Sequence, residues 1–70
     1  MKKRIRIDGM SCDNCVRHVT VALKDLDGVS EVDVRLDEKQ AIIVAEEIQD
    51  QDIIDAIEEV GYEVVGIEEI

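Results

Sequence analysis

The sequence lacks several residue types on which small domains ordinarily rely. It contains no proline, no phenylalanine and no tryptophan, and it has one tyrosine, one histidine and two cysteines among its 70 residues. A hydrophobic core must therefore be assembled mainly from Val, Ile, Leu and Ala. These residues recur at regular intervals, which still permits a packed core. A chain of this length forms one domain at most, and we expect residues 1–70 to be that domain.

Positive charge and long apolar runs are also scarce. Eight Lys and Arg residues face eighteen Asp and Glu residues, which gives a formal net charge of −10. Such a negative field repels nucleic acid and anionic membrane surfaces, and it attracts cations and basic protein surfaces. No apolar run approaches the roughly 18 residues of a membrane span, and no apolar segment follows the basic N-terminus as in a secretion signal. We therefore expect a cytoplasmic protein that neither binds nucleic acid nor inserts into membranes.

Alternation of charged and aliphatic residues predicts four strands. They span residues 3–8, 29–37, 41–45 and 62–67. Between the second and third strands, the polar run 37–40 predicts a hairpin turn. The last residues, 68–70, are expected to fray, because chain ends are usually poorly ordered.

Apolar residues at spacings of three and four predict two helices, each with one buried face. The first helix begins near Cys12, with Ser11 or Asp13 able to cap it, and ends at Gly28. Its predicted buried positions are Val16, Val19, Ala22, Leu23 and Leu26. The second helix begins within the polar segment 46–52. Its predicted buried positions are Ile53, Ile54, Ile57 and Val60.

The elements therefore follow the order β-α-β-β-α-β. Each β-α-β crossover should be right-handed and should leave room for a strand between the two strands that it joins. The third strand then lies antiparallel between the first and the second, and the fourth strand lies at the other edge. The predicted fold is α+β and ferredoxin-like, a four-stranded antiparallel sheet with two helices on one face.

Both cysteines lie in the segment Gly9-Met10-Ser11-Cys12-Asp13-Asn14-Cys15, at the predicted start of the first helix. The unpaired amides and the dipole of a helix N-terminus favour negative charge, so at least one thiol should ionise more readily than a free cysteine. Cytosolic thiols stay reduced, which argues against a structural disulfide. A dithiol redox site, an iron–sulfur cluster and a metal site remain as uses of this spacing.

The number of available donors separates these uses. Thioredoxin-like redox proteins are longer and need a proline opposite the motif, whereas this chain has no proline. An iron–sulfur cluster or a structural zinc site needs four donors, and the chain supplies two cysteines and one histidine at an unsuitable spacing. Two thiolates suit Cu(I), which prefers soft ligands and accepts low coordination. An incomplete ligand set lets a thiolate of another protein join the metal, which favours transfer over storage.

The same segment resembles the Gly-Met-x-Cys-x-x-Cys signature of the heavy-metal-associated domain family. This family includes bacterial copper chaperones and the N-terminal domains of copper-transporting P-type ATPases. The resemblance extends to Leu26-Asp27-Gly28-Val29 after the first helix and to Gly61-Tyr62-Glu63-Val64 after the second. It covers essentially the whole chain and implies the same βαββαβ fold.

The resemblance implies roles for four residues. Cys12 and Cys15 would be the metal ligands, and Met10 would pack into the core beneath the loop without binding the metal. Tyr62 matches an aromatic residue that bacterial copper chaperones place near the metal loop, where it would shield the site and hydrogen-bond toward a sulfur. Packing of Tyr62 at the edge between the helices and the sheet is an equally good interpretation.

Three polar residues near the cysteines are not expected to bind the metal, although Ser11 and Asp13 would lie beside it. Ser11 stands where zinc-exporting relatives carry an acidic residue. The carboxylate of Asp13 is a harder donor that would favour a divalent ion if it reached the metal, but aspartate also suits a helix N-terminus. His18 follows Cys15 by three residues, and we expect it to face solvent and to point away from the loop.

The expected function is that of a cytoplasmic Cu(I) chaperone, not an enzyme. It would pass the ion by thiolate exchange to the metal-binding domain of a copper-transporting P-type ATPase. We expect the metal-free protein to be a monomer, and the sequence leaves open whether the metal bridges two copies. The alternatives are an N-terminal domain of a copper-, zinc- or mercury-transporting ATPase, with Zn(II) or Hg(II) as the ion, and a dithiol redox protein. The first residue, Met1, suits a free chaperone or an excised domain equally.

Overall fold

The computed structural model describes the whole chain, from Met1 to Ile70, as two helices packed on a four-stranded sheet. The elements in chain order are β1 (Lys2–Asp8), α1 (Asp13–Lys24), β2 (Val29–Arg35), β3 (Gln40–Ala45), α2 (Asp50–Glu59) and β4 (Glu63–Glu69). All strand pairs are antiparallel, and the order across the sheet is β2-β3-β1-β4. The predicted ferredoxin-like α+β fold is confirmed.

The core lies between the helices and one face of the two central strands. In the register of β1 and β3, Ile5 pairs with Ala41 on the buried face, and Arg4 pairs with the half-buried Ile42 on the opposite face. Helix α1 packs near β2, helix α2 packs near β4, and the two helices contact each other. The fully buried large side chains are Ile5, Ile7, Val19, Leu23, Ile43, Ile53 and Ile57. The aliphatic periodicity of the sequence therefore builds the core without any large aromatic residue.

The end of the chain is paired rather than frayed. Strand β4 continues to Glu69, and the amide of Ile70 donates to the carbonyl of Lys2 at 2.8 Å. The guanidinium of Arg4 donates two hydrogen bonds to one carboxylate oxygen of Glu68, at 3.1 and 2.8 Å. The expectation of fraying is wrong, because residues 68–70 extend the pairing of β4 with β1. Pairing with a distant strand cannot be read from the local sequence pattern.

Two further boundaries differ from the pattern-based expectation. Helix α2 ends at Glu59, so Val60 lies beyond the helix and is 36% exposed, although it was predicted to be buried. Strand β2 ends at Arg35, and the chain turns before β3 with Lys39 in the left-handed region at a φ of 54°. Neither helix has the length and apolar character needed to cross a bilayer.

One charged residue is buried on the helix-covered side of the sheet. Lys3 of β1 is 9% exposed, and its Nζ lies 2.6 Å from Oδ1 of Asp50, the first residue of α2. A carboxylate in the first turn also complements the positive end of the helix. Because burial of an unpaired ammonium is costly, this pair fixes where α2 begins relative to β1.

Substitution of Leu23 by Ala tests the core. Leu23 is fully buried in α1, whereas Val21 on the same helix is 62% exposed. Leu23→Ala is expected to lower the free energy of unfolding by about 2–5 kcal/mol, because it leaves a cavity among well-packed side chains. The matched change Val21→Ala should be neutral or slightly stabilising, since alanine is the better helix former. Urea denaturation followed by circular dichroism measures both, and equal effects would contradict this description of the core.

Candidate metal centre

The loop between β1 and α1 is anchored at its first two residues. Gly9 adopts a φ of +98°, a left-handed conformation that side chains disfavour, and a Cβ at this position would lie 3.4 Å from Cδ1 of Tyr62. The next residue, Met10, turns inward and is 4% exposed within the hydrophobic core. Ser11 is exposed. The loop is thus held by a buried methionine and by the close approach of an aromatic ring.

The two thiols meet where this loop becomes a helix. Cys12 is the N-cap residue of α1, has an extended backbone and is exposed, whereas Cys15 lies in the first turn and is 9% exposed. The two sulfurs are 3.2 Å apart, and both cysteines are free. The structure therefore places one accessible and one shielded sulfur side by side.

Neither residue that was predicted to cap α1 does so. The N-cap position belongs to Cys12, and no side chain makes a capping hydrogen bond. Asp13 is the first helical residue and is exposed, so its carboxylate complements the positive end of the helix without a cap. The amides of Cys15 and Val16 donate to the carbonyl of Cys12, at 3.0 and 3.3 Å.

The surroundings of Cys15 stabilise its thiolate. A hydrogen bond from the backbone of Ser11 has the largest effect, followed by hydrogen bonds from the side chains of Tyr62 and Cys12, and together they lower the pKa of Cys15 from 9.0 to about 6. The same contact with Cys15 raises the pKa of Tyr62 to about 12, because the phenol proton is held by the sulfur. At neutral pH the shielded sulfur is therefore mostly ionised, as a metal ligand must be.

Tyr62 and His18 form a contact that the sequence did not predict. Tyr62 is half-buried against the core, and its hydroxyl oxygen lies 3.2 Å from Nδ1 of His18. His18 is exposed, as expected. It does not point away from the loop, because its ring reaches the residue that touches Cys15. The helical spacing of Cys15 and His18 was the available signal, since residues three apart share a side of a helix.

Three acidic residues lie near Tyr62. Asp8, Glu58 and Glu63, which we call the acidic rim, line a polar pocket together with Gly9 and Gly61. All three carboxylates are exposed. The sequence showed an excess of acid but not this clustering, because the three residues come from β1, α2 and β4.

The chemistry of the site is that of two soft donors. No third His, Cys, Asp or Glu side chain joins the two thiols in a cluster that could hold a metal ion. Sulfur pairs without harder donors favour soft, low-coordinate ions such as Cu(I) over ions that need oxygen ligands. The structure brings Cys12 and Cys15 together. Met10 packs in the core under the loop, and Tyr62 is half-buried against the same core. Ser11 and Asp13, the neighbours of Cys12 in the chain, are both exposed.

The ionisation of Cys15 can be measured directly. Thiolate absorbance of the reduced protein should show one group titrating with a pKa near 6, and this group should disappear in Cys15→Ser. Because folding lowers this pKa from 9.0, its contribution to stability is fully present above about pH 9 and is lost as the pH falls toward 6. Tyr62→Phe should move the titration toward higher pH, since it removes a hydrogen bond to the thiolate. An unchanged titration in Tyr62→Phe would contradict this account.

Comparison with known proteins agrees with this geometry. The model of the heavy-metal-associated domain family matches residues 4–63. The copper chaperone CopZ of Bacillus subtilis is 40% identical over 65 residues, which cover 90% of this chain and 94% of that protein. CopZ of Enterococcus hirae is 35% identical with the same coverage.

Solved structures show the same fold. A CopZ metallochaperone aligns with a TM-score of 0.88 and 34% identity, over 93% of this chain and 100% of the other. A copper-binding domain from HMA7, a P-type ATPase, aligns with a TM-score of 0.85 and 30% identity, over 99% and 100%. From the family match, which spans most of the sequence, and from these relatives, it follows that the chain belongs to the heavy-metal-associated domain family.

Proposed function

We propose that this chain is a copper chaperone, a single domain that binds one Cu(I) ion through Cys12 and Cys15 and transfers it to another protein. The observation that carries the proposal is the pair of free sulfurs 3.2 Å apart at the start of α1. Its support from comparison is the 40% identity with a copper chaperone over 90% of the chain.

The preference for Cu(I) follows from the donors. The site supplies two thiols and no further His, Cys, Asp or Glu within a metal-binding cluster. Zinc in proteins almost always takes four ligands, so Zn(II) would have to recruit ligands from outside the protein. Cu(I) is satisfied by two thiolates, because it is a soft ion. The lowered pKa of Cys15 means that little proton release is needed there when the ion binds at neutral pH.

The difference in exposure between the two cysteines suits a stepwise transfer. A thiolate of the acceptor would form a bond to the Cu(I) ion from the open side, where Cys12 is exposed. The bond from the ion to Cys12 would then break, and Cys15, which is 9% exposed, would be the last ligand to leave. Ligands exchange one for one and the copper stays Cu(I), so no electron is transferred and no enzyme chemistry is needed.

The acceptor we propose is the metal-binding domain of a copper-transporting P-type ATPase. A domain of this kind shares the fold of the chain with a TM-score of 0.85. Its docking face would be basic, because the acidic rim adjoins the metal loop and the chain carries a net charge of −10. We place the reaction in the cytoplasm, where thiols stay reduced. The protein without metal would be a monomer, and two copies could share one ion through their exposed Cys12 thiols.

A second candidate is a metal-binding domain that forms part of a transporting ATPase. It is favoured by the 30% identity to the HMA7 domain over 99% of this chain. The site chemistry would be the same, and the difference would lie in the length of the reading frame that encodes the chain. A dithiol redox function requires that the reduced pair transfer electrons to protein disulfides, which insulin reduction measures.

Metal loading tests the ion and its ligands. Anaerobic titration should give one Cu(I) per chain, and X-ray absorption should show two sulfur neighbours, as expected for thiolate ligation. Cys12→Ser should lose tight binding, because one of the two soft donors is removed. Asp13→Asn serves as the control, since it alters the neighbouring exposed carboxylate and should leave binding intact. Preference for Zn(II) or Hg(II) over Cu(I) in a buffered competition would contradict the proposal.

Salt dependence tests the docking hypothesis. The rate of Cu(I) transfer to an ATPase domain should fall as ionic strength rises, because salt screens attraction between opposite charges. At low salt, the double variant Glu58→Gln and Glu63→Gln should transfer more slowly. Glu31→Gln removes the same type of charge from β2, at the edge of the sheet opposite to β4, and should have little effect. Stopped-flow mixing gives the rates, and a rate independent of salt would contradict charge-guided docking.

A further inference from the structure

We propose that His18 is a positioning residue of the metal centre, whose imidazole holds the hydroxyl of Tyr62 against Cys15 and so keeps this sulfur shielded. The proposal rests on the proposed function only in treating Cys15 as a metal ligand. His18 itself does not bind the metal, since no third ligating side chain joins the two thiols.

Three elements meet at this contact. His18 lies on α1, one turn after Cys15, and Nδ1 of its ring lies 3.2 Å from the hydroxyl oxygen of Tyr62. Tyr62 lies just before β4, and its amide donates to the carbonyl of Ile57 at 3.2 Å. Cδ1 of Tyr62 would lie 3.4 Å from a Cβ placed on Gly9. The backbone of Tyr62 is thus fixed by its bond to α2, its ring lies beside Gly9 of the loop, and its hydroxyl contacts His18.

The direction of the Tyr62 proton depends on His18. A phenol has one proton to donate and can also accept hydrogen bonds, whereas a neutral imidazole has one N–H and one acceptor nitrogen. If the proton of His18 is on Nδ1, it donates to the hydroxyl oxygen, and the phenol proton remains free for the sulfur of Cys15. If Nδ1 lacks a proton, it competes with the sulfur for the phenol proton.

The hydroxyl of Tyr62 has two neighbours, the ring of His18 and the thiol of Cys15. Contact with Cys15 raises the pKa of Tyr62, and contact with Tyr62 lowers the pKa of Cys15. The Nδ1–H tautomer of His18 satisfies both contacts of the hydroxyl at once. Because one hydrogen bond is of modest net strength, the orientation of Tyr62 should respond to loss of the imidazole without loss of the fold.

Alkylation of Cys15 in the metal-free protein tests this role independently of copper binding. All variants are made in a Cys12→Ser background, so that Cys15 is the only thiol, and are alkylated with a bulky iodoacetamide reagent at about pH 9, where even a cysteine of ordinary pKa is mostly ionised. We expect His18→Ala to speed alkylation by about twofold to tenfold, the equivalent of one hydrogen bond of ordinary net strength. The control is Val21→Ala, at a residue one turn further along α1 that is 62% exposed. It should leave the rate of alkylation unchanged.

Conservative variants separate positioning from general packing. The side-chain amide of asparagine can occupy the place of Nδ1, whereas that of glutamine reaches the place of Nε2. His18→Asn should therefore restore slow alkylation and His18→Gln should not. Tyr62→Phe should be fast, and adding His18→Ala to it should give no further change, because the two residues act through one hydroxyl.

Long-range proton–nitrogen NMR on the chain with both cysteines gives a second, spectroscopic readout. The ring of His18 should show the Nδ1–H tautomer, and Tyr62→Phe should shift it toward Nε2–H. The proposal is wrong if His18→Ala leaves the alkylation rate unchanged, or if His18→Gln slows alkylation as much as His18→Asn does. It is also wrong if Tyr62→Phe does not change the tautomer of His18. Since these measurements use metal-free protein, they can fail while copper binding succeeds, and the reverse also holds.

Discussion

The candidate metal centre is built on the start of α1, which has no side-chain cap. A helix N-terminus leaves amides without partners inside the helix, and most helices satisfy one of them with a Ser, Thr, Asp or Asn side chain. Here the N-cap residue is Cys12, and no side chain makes that bond. Omitting a cap costs about 1 kcal/mol, which is a substantial fraction of the stability of a small domain. In return, the sulfur of Cys12 takes no part in a capping bond and lies 3.2 Å from the sulfur of Cys15.

The rest of the fold keeps this uncapped end in place. Met10 inserts into the core immediately before the two cysteines, and Cys15 itself belongs to the core cluster. The Lys3–Asp50 pair sets the start of α2 against β1, and the turn after α2 carries Tyr62 to the metal loop. A loop that held two exposed cysteines without such anchors would let the sulfurs separate. The buried neighbours therefore hold Cys12, on the four-residue loop 9–12, beside Cys15 of α1.

The fold was largely predictable from the sequence, because it depends on periodicity. Alternation predicted the strands that carry Ile5, Ala41 and Ile43, and the structure buries all three. The pair of cysteines was evident from spacing alone, and Met10 is buried as expected. These features are local, since each is encoded within a few neighbouring residues of the chain.

What the sequence did not reveal depends on contacts between distant residues. His18 meets Tyr62 across 44 positions, Lys3 meets Asp50 across 47, and Arg4 meets Glu68 across 64. The pairing that orders the chain end and the contact that turns His18 toward the loop both require the folded sheet. The acidic rim was invisible for the same reason, since its carboxylates come from three separate elements.

Pairing of the chain ends has a practical consequence. The carbonyl of Met1 accepts from the amide of Ala45 at 2.8 Å, and Ile70 is joined to Lys2, so both termini lie at the start of β1. The metal loop follows the other end of the same strand, seven residues away along an extended chain. A fluorescent reporter or a surface tether attached at either terminus would therefore leave the sulfurs unobstructed. This layout suits the molecule to single-molecule measurements of metal exchange with both cysteines intact.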